Sequence, residues 1–334
     1  MAHRICFIGG DGVGPELVAH ARRVMDALGV RYEGVEASAG YACYQRTDTP
    51  IPDETIDAAR NAEAVMFGAV TTPPNIPNYR SAIVSLRKAL DLYANVRPCR
   101  SYPNVPCLRR DVDLVIVREN TEGMYSGRER REGDTAIGER VITRAGSERV
   151  LRFAYEYALG HGRQKVTFVH KANVLRETCG LFREVALEVA KQYAGITTEE
   201  VLVDAMAMRL VKQPQDFEVV VTTNMFGDIL SDEAAQVVGG LGMAPSGSYG
   251  AKNALFEPTH GSAPKYEGKD YVNPCATLLS LKMLLEHIGE KDAASRLDGA
   301  IMRVLAEGRV LTADIGGKAK TSEMVGAIVK AMQS

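Results

Sequence analysis

No apolar run in this 334-residue chain reaches the roughly 18 residues that a membrane-spanning helix needs. A membrane partner is therefore not expected. Nor is there an excess of basic charge: 40 Lys and Arg stand against 42 Asp and Glu, for a net charge of −2. That balance argues against a nucleic-acid partner, and no block of like charge reads as a tail. The six cysteines, Cys6, Cys43, Cys99, Cys107, Cys179 and Cys275, form no C-x-x-C pair and lie near no His at zinc spacing. They read as reduced thiols, with no disulfide expected between Cys99 and Cys107. The N-terminal residues lack the basic stretch, apolar core and cleavage site of a secretory leader. A soluble, cytoplasmic protein without internal repeats is expected.

What is present is alternation. Strand-like runs at 4–8, 64–67, 114–117, 165–169, 200–203 and 217–222 are interleaved with helix-like runs. The helical patterns lie at 15–28, 81–92, 147–159, 180–193, 273–287, 291–307 and 322–332, with a further one after Asp228. This predicts an α/β fold with an open, mainly parallel sheet and flanking helices. Residues 127–142 are highly charged and suit a protruding hairpin or a subunit-exchange arm. The first turn, Gly9-Gly10-Asp11-Gly12-Val13-Gly14-Pro15, looks like a dinucleotide loop. Its glycines do not keep the G-x-G-x-x-G register, so it reads as a tight strand-to-helix turn.

Polar residues follow five of the strands. They are Thr71-Thr72, Arg118 through Tyr125, His170-Lys171-Ala-Asn173, Asp204, and the pair Asp228 and Asp232. Parallel sheets bind ligands at the carboxyl ends of their strands, so this edge is the candidate active site. Asp228 and Asp232 lie four apart near a helix start, on one face. Like charges at that spacing repel, whereas a hard divalent cation suits them. A solvated acidic face is the plain alternative. Arg87, Arg97 and Arg118 are candidates for gripping carboxylates through their guanidinium forks. Lys171 and Tyr125 can serve as general acid and base. Taken singly, each of these residues is an ordinary ion-pair or packing residue; the set describes a site for a small polycarboxylate.

The set also resembles the β-decarboxylating dehydrogenases, the isocitrate, homoisocitrate and 3-isopropylmalate dehydrogenases with their tartrate/malate relatives. The resemblance runs nearly end to end. It rests on Gly10-Asp-Gly-Val-Gly-Pro-Glu16, Leu86-Arg87-Lys88, Leu92 through Pro98, Val117 through Gly123, His170 through Val174 and Val203 through Met208. Asn224 through Asp232, Phe256 through Pro264 and Asn273-Pro274 extend it. It implies a two-lobed fold distinct from the Rossmann type. A large lobe, 1–99 with 254–334, would carry both chain ends and most of the cofactor site; a small lobe, 100–253, would carry the catalytic residues and the dimer interface. It implies that Arg87, Arg97 and Arg118 bind substrate carboxylates, Tyr125 protonates an enolate and Lys171 assists proton removal from the C2 hydroxyl. Asp204, Asp228 and Asp232 would hold Mg2+ or Mn2+. Lys171 and Asp204 would reach in from a second subunit, which implies an obligate homodimer, with a tetramer also open. Thr71, Thr72, Asn173, His260, Gly261, Ser262, Ala263, Lys265, Tyr266 and Asn273 would line the cofactor site.

Two segments vary within that family. The resemblance implies that Tyr79-Arg80-Ser81-Ala82-Ile83-Val84-Ser85 faces the group that distinguishes the substrates. Arg80, Ser81 and Ile83 together are similar to homoisocitrate dehydrogenases, with isocitrate second and isopropylmalate or tartrate/malate behind. Lys265-Tyr266 is the pair of NADP-dependent isocitrate dehydrogenases, while the stretch around Asp314 is closer to NAD-dependent members. NADP is the preferred expectation, NAD the alternative. The expected activity is metal-dependent oxidative decarboxylation of a 3-carboxy-2-hydroxy acid. A non-catalytic regulatory subunit is disfavoured, because the Tyr, the Lys, the three Asp and the three Arg are all present.

Overall fold

Strand formation follows the β-branched runs, and in this computed structural model, which describes residues 2–76 and 79–333, twelve strands are present among those residues. In chain order they are β1 (His3–Gly10), β2 (Tyr32–Ala37), β3 (Ala64–Ala69), β4 (Ala94–Arg100), β5 (Asp113–Glu119), β6 (Glu129–Glu132), β7 (Thr135–Gly138), β8 (Lys165–His170), β9 (Thr197–Leu202), β10 (Val219–Thr222), β11 (Pro245–Tyr249) and β12 (Ala254–Pro258). The helices are α1 (Gly14–Leu28), α2 (Tyr41–Thr47), α3 (Asp53–Arg60), α4 (Ala82–Ala89), α5 (Arg144–Gly160), α6 (Thr178–Ala190), α7 (Val203–Lys212), α8 (Asn224–Val238), α9 (Cys275–His287), α10 (Lys291–Glu307) and α11 (Thr321–Met332). None of them is long and apolar enough to cross a membrane.

The chain divides into two compact units. One holds Met1–Asp91, Tyr102–Cys107 and Gly239–Ser334; the other holds Leu92–Ser101 and Leu108–Val238. The divisions at 91/92 and 238/239 differ from the expected 99/100 and 253/254. Strand pairing is the reason. β4 pairs along its whole length with β5, and β11 pairs with β12.

In the first unit the strand order is β2-β1-β3-β12-β11, parallel except for β11. In the second it is β4-β5-β10-β8-β9, parallel except for β4. β3 and β10 are buried at every position, as parallel strands covered on both faces are. On one face of the second sheet, Leu114, Ile116 and Val220 pack with Leu230, Ala234 and Val238 of α8 and with Met206 and Leu210 of α7.

Several elements depart from the sequence reading. β2, β4, β11, β12, α2 and α3 were not anticipated. The strand expected at 200–203 stops at Leu202, and α7 begins at Val203, so Asp204 lies in a helix's first turn. The helix expected at 81–92 closes at Ala89. Residues 129–138 form the β6-β7 ladder, a hairpin whose strands are exposed at nearly every position. All six cysteines are free.

Candidate active site

Pleat and register bring two arginines together in the second unit. Asn95, Arg97 and Cys99 share one face of β4, because alternate residues of a strand do. Asn95 lies opposite Arg118 of β5 in the antiparallel ladder, which puts Arg118 on that same face. Leu114 and Ile116 precede it there and belong to the apolar core. The face thus runs apolar, apolar, then cationic toward the carboxyl end of β5. Opposite stands α8, whose stripe begins with Asn224, Gly227, Asp228, Ser231 and Asp232 before turning apolar.

The contacts are dense. Arg118 Nη1 donates to Asp228 Oδ1, while its Nε and Nη2 donate to Asn224 Oδ1 at 3.0 and 2.7 Å. Arg97 donates to Asn95 Oδ1 at 2.7 Å, to Ser231 Oγ at 2.7 Å and to Asp232 Oδ1 at 3.2 Å. Its Nη2 stands 3.5 Å from Asp228 Oδ1. Tyr125 donates its hydroxyl proton to Asp228 Oδ2, and its ring lies 5.1 Å from the Arg118 guanidinium carbon. The Arg97 and Arg118 side chains are 8% and 3% exposed, so the aspartates compensate charges largely withdrawn from water.

These surroundings set protonation. Burial, then the accepting carboxylate of Asp228, pushes the Tyr125 phenol above its ordinary range, so it keeps its proton at neutral pH. Burial also raises the Asp232 carboxyl, with Arg97 opposing and Asp228 adding to the shift. Asp228 and Asp232 remain 34% and 55% exposed, and two accessible carboxylates one helix turn apart fit a hard divalent cation.

Lys171 and Asp204 form a separate pair. Lys171 Nζ donates to Asp204 Oδ1, which holds that carboxyl below the usual carboxylate range. His170 precedes Lys171: its Nδ1 accepts from Ala172 N and its Nε2 faces Glu200 Oε1, both at 3.0 Å. Within one chain Asp204, Asp228 and Asp232 do not gather within 4.8 Å of one another. The described residues with three such donors that close are Glu16, His20 and Asp270. Asp270 is already engaged by Ser322 through its N and Oγ.

The first unit holds the other candidates. Val13, Gly242, His260, Gly261, Ala263, Tyr266, Tyr271, Val272, Asn273 and Asp314 line a cavity of about 380 Å³. The Tyr266 and Tyr271 rings stack at 5.0 Å, and Asn273 Nδ2 donates to Asp314 Oδ2 at 2.9 Å. Small residues, flat rings and a few polar groups fit a heteroaromatic such as the adenosine end of NAD(P). Lys265 Nζ stands 4.6 Å from the Tyr266 ring centroid. Burial lowers His260 below the ordinary imidazole range, leaving it neutral. Thr71 and Ser262 share a hydroxyl hydrogen bond of 2.6 Å. The glycine loop serves packing: a Cβ at Gly12 would stand 2.1 Å from Ser262 O, and Val13 N donates to that oxygen at 2.9 Å. Arg87 belongs to this unit and pairs with Glu257 at 2.6 Å. Arg80 is exposed and Ser81 and Ile83 half-buried at the start of α4; Thr72 is exposed, as is Asn173 of the second unit.

Sequence reasoning missed Tyr271; it quoted Asn95, Asn224 and Ser231 within longer motifs without giving them a role, and Asp314 only as a mark of cofactor type. The S-D step after Asp228 was the one available signal, since Ser231 lies a turn beyond Asp228. The sequence profile of the isocitrate/isopropylmalate dehydrogenase family matches residues 4–328. An isocitrate/homoisocitrate dehydrogenase of Thermus thermophilus is 49% identical over 335 residues, spanning 100% of both chains. A 3-isopropylmalate dehydrogenase of Methanothermobacter thermautotrophicus is 47% identical, over 99% of this chain and 98% of that one. The crystal structure of isocitrate dehydrogenase from Methylococcus capsulatus superposes with a TM-score of 0.96 at 46% identity, over 99% and 100% of the chains. The chain belongs to the isocitrate/isopropylmalate dehydrogenase family and is an oxidatively decarboxylating enzyme.

Proposed function

We propose that the chain oxidatively decarboxylates homoisocitrate, with NADP as hydride acceptor and Mg2+ or Mn2+ as its cation. The observation that carries the reading is the single cluster of Arg97, Arg118, Tyr125, Asp228 and Asp232. Arg97 and Arg118 clamp two carboxylates of the acid, while Asp228 and Asp232 offer oxygen ligands on the opposite wall. A bound divalent cation supplies Lewis-acid polarisation of the C2 oxygen and stabilises the developing enolate. Lys171 assists removal of the C2 hydroxyl proton as hydride leaves C2 for the nicotinamide. The 3-carboxyl departs as CO2, leaving its bonding electrons in the enolate. Tyr125, kept protonated by burial and Asp228, delivers the proton to C3.

A second copy of the chain completes the site. Asp204 and Lys171 pair apart from Asp228 and Asp232, which supports the reading that they serve the partner's acid rather than their own. Met208 and Val211 of α7 and Ile229 of α8 are 61%, 48% and 60% exposed, an apolar surface that suits burial against that copy. The reading is a homodimer with shared sites. Six free cysteines, five of them buried, suit a reducing cytoplasm.

Arg80, Ser81 and Ile83 support homoisocitrate through a cation and an apolar surface for a longer carboxylate arm. Isocitrate is the second reading, favoured by the isocitrate/homoisocitrate relative. Cofactor binding falls to the cavity around His260, Gly261, Tyr266 and Asn273, with Lys265 beside it to receive a 2′-phosphate. Initial rates with homoisocitrate, isocitrate, isopropylmalate and malate, each with NAD and NADP, with Mg2+ or a chelator, test all of this. Homoisocitrate with NADP and Mg2+ is expected to be fastest. Undiminished rates with chelator would overturn the metal, and preference for isopropylmalate would overturn the reading of Arg80.

A further inference from the structure

A guanidinium carries five N–H donors and, once buried, needs acceptors that hold it in one orientation. Arg118 is 3% exposed, and one amide oxygen meets two of its nitrogens: Asn224 Oδ1 accepts from Nε at 3.0 Å and Nη2 at 2.7 Å. The amide is itself fixed. Asn224 is 1% exposed, and its Nδ2 donates to Glu122 O at 3.1 Å. A flipped amide would aim N–H at the guanidinium and its oxygen at a carbonyl, so the network sets the orientation. One turn along α8, a Cβ at Gly227 would stand 2.7 Å from both Cβ and Cγ of Arg118. The first turn of the helix therefore fits around this one side chain. The ladder supplies the placement, because Thr222 at the end of β10 is in register with Arg118, two residues before Asn224.

We propose that Asn224 is a positioning residue that sets affinity for the acid through Arg118 without touching the acid. The inference rests on Arg118 as an acid-binding cation. Its amide is the suitable chemistry. A carboxylate there would hold the same two nitrogens but offset the positive charge the acid needs. An apolar side chain would preserve the charge and release the guanidinium. The neutral carbonyl fixes Nη1 toward Asp228 and adds no further negative charge beside the guanidinium.

A double-mutant cycle tests it, using wild type, Asn224→Ala, Arg118→Ala and the double variant. KM comes from initial rates and Kd from calorimetric titration, each with homoisocitrate and with isocitrate. Asn224→Ala is expected to raise KM and Kd for the acid about tenfold, the scale of hydrogen bonds to a charged group, with KM for the cofactor unchanged. In the Arg118→Ala background the same change is expected to move Kd by less than about twofold, because the residue through which it acts is gone. An equal rise in both backgrounds overturns the inference and assigns Asn224 a structural role. If Arg118→Ala weakens the acid and Asn224→Ala does not, the inference alone falls. If Arg118→Ala leaves the acid's Kd unchanged, the anion-binding reading falls and takes the inference with it. Asn224→Asp serves where the alanine variant does not fold: it is expected to raise the acid's Kd while the melting temperature holds. An unchanged Kd in that variant also overturns the proposal.

Discussion

Arg118 Nη1 and Asp228 Oδ1 are hydrogen-bonded across the gap between β5 and α8, and Tyr125 holds the other oxygen of the same carboxylate. A residue proposed to grip the acid and one proposed to grip the cation thus neutralise each other in the structure. Arg97 and Asp232 repeat the arrangement at 3.2 Å.

Coupling of the two ligands follows from that pairing. If only the aspartates are given a new partner, two nearly buried guanidiniums lose theirs; if only the arginines are, the carboxylates lose theirs. Both exchanges together leave every charge paired. Mn2+ is therefore expected to bind about tenfold or more tightly with saturating homoisocitrate or isocitrate than without, and the acid to show the reciprocal gain with Mn2+. Calorimetric titration measures both. Equal affinities with and without the other ligand would contradict the exchange.

Tyr125→Phe removes the proton donor and keeps the ring over Arg118. A fall in kcat of roughly 10²–10⁴ is expected, the usual contribution of a general acid, with KM for the acid little changed. Because the phenol titrates above its ordinary range, the wild type should show no loss from Tyr125 ionisation near neutral pH. Stopped-flow turnover resolves this, and an unchanged kcat would remove Tyr125 from the chemistry.

Asp232 gives a pH dependence of known sign. Its folded-state value is raised, first by burial, so a proton competes with a cation there at higher pH than at an ordinary carboxylate. For folding, its contribution is present below the unfolded value and is lost as pH rises through the raised one. For metal binding, affinity falls as pH drops through that raised value. The acid limb of Mn2+ affinity, followed by electron paramagnetic resonance, should begin above the ordinary Asp range and disappear in Asp232→Asn. Persistence of the same limb in that variant would assign it elsewhere.

Cofactor choice is expected to turn on Lys265, which lies beside Tyr266 at the cavity. In Lys265→Asp, KM for NADP should rise about tenfold or more, the cation for the 2′-phosphate having become a repelling anion, while KM for NAD holds or falls. A parallel change for both cofactors would acquit Lys265.

Much of the site was legible because its residues follow β-branched runs, and strand ends can be read without knowing the sheet order. Arg118, Lys171, Asp228 and Asp232 were singled out that way. Asp204 was singled out as a residue following a strand, whereas it lies in the first turn of a helix. Val201-Leu-Val203 looks like a strand end, but α7 starts at Val203 and leaves Met208 and Val211 exposed, which blurs its helical period. β4 was hidden by Pro98, which cannot donate to a ladder and usually argues against a strand. Asn95 meets Arg97 two residues along the same strand, and Asn224 reaches Arg118 because β10 is in register with β5, a pairing that a single sequence does not print. The lobe boundaries depended on the partners of β4 and β11, which is again a matter of pairing rather than composition.

The central claim is that one cation site draws Asp228 and Asp232 from one copy and Asp204 from another, and subunit complementation tests it most directly. Asp204→Asn and Asp228→Asn are each expected to be nearly inactive alone. Unfolded and refolded together, they should recover about a quarter of wild-type activity, since half of randomly formed dimers are hybrids with one intact site of two. No recovery from a well-folded mixture, or full activity in either variant alone, would contradict the shared site.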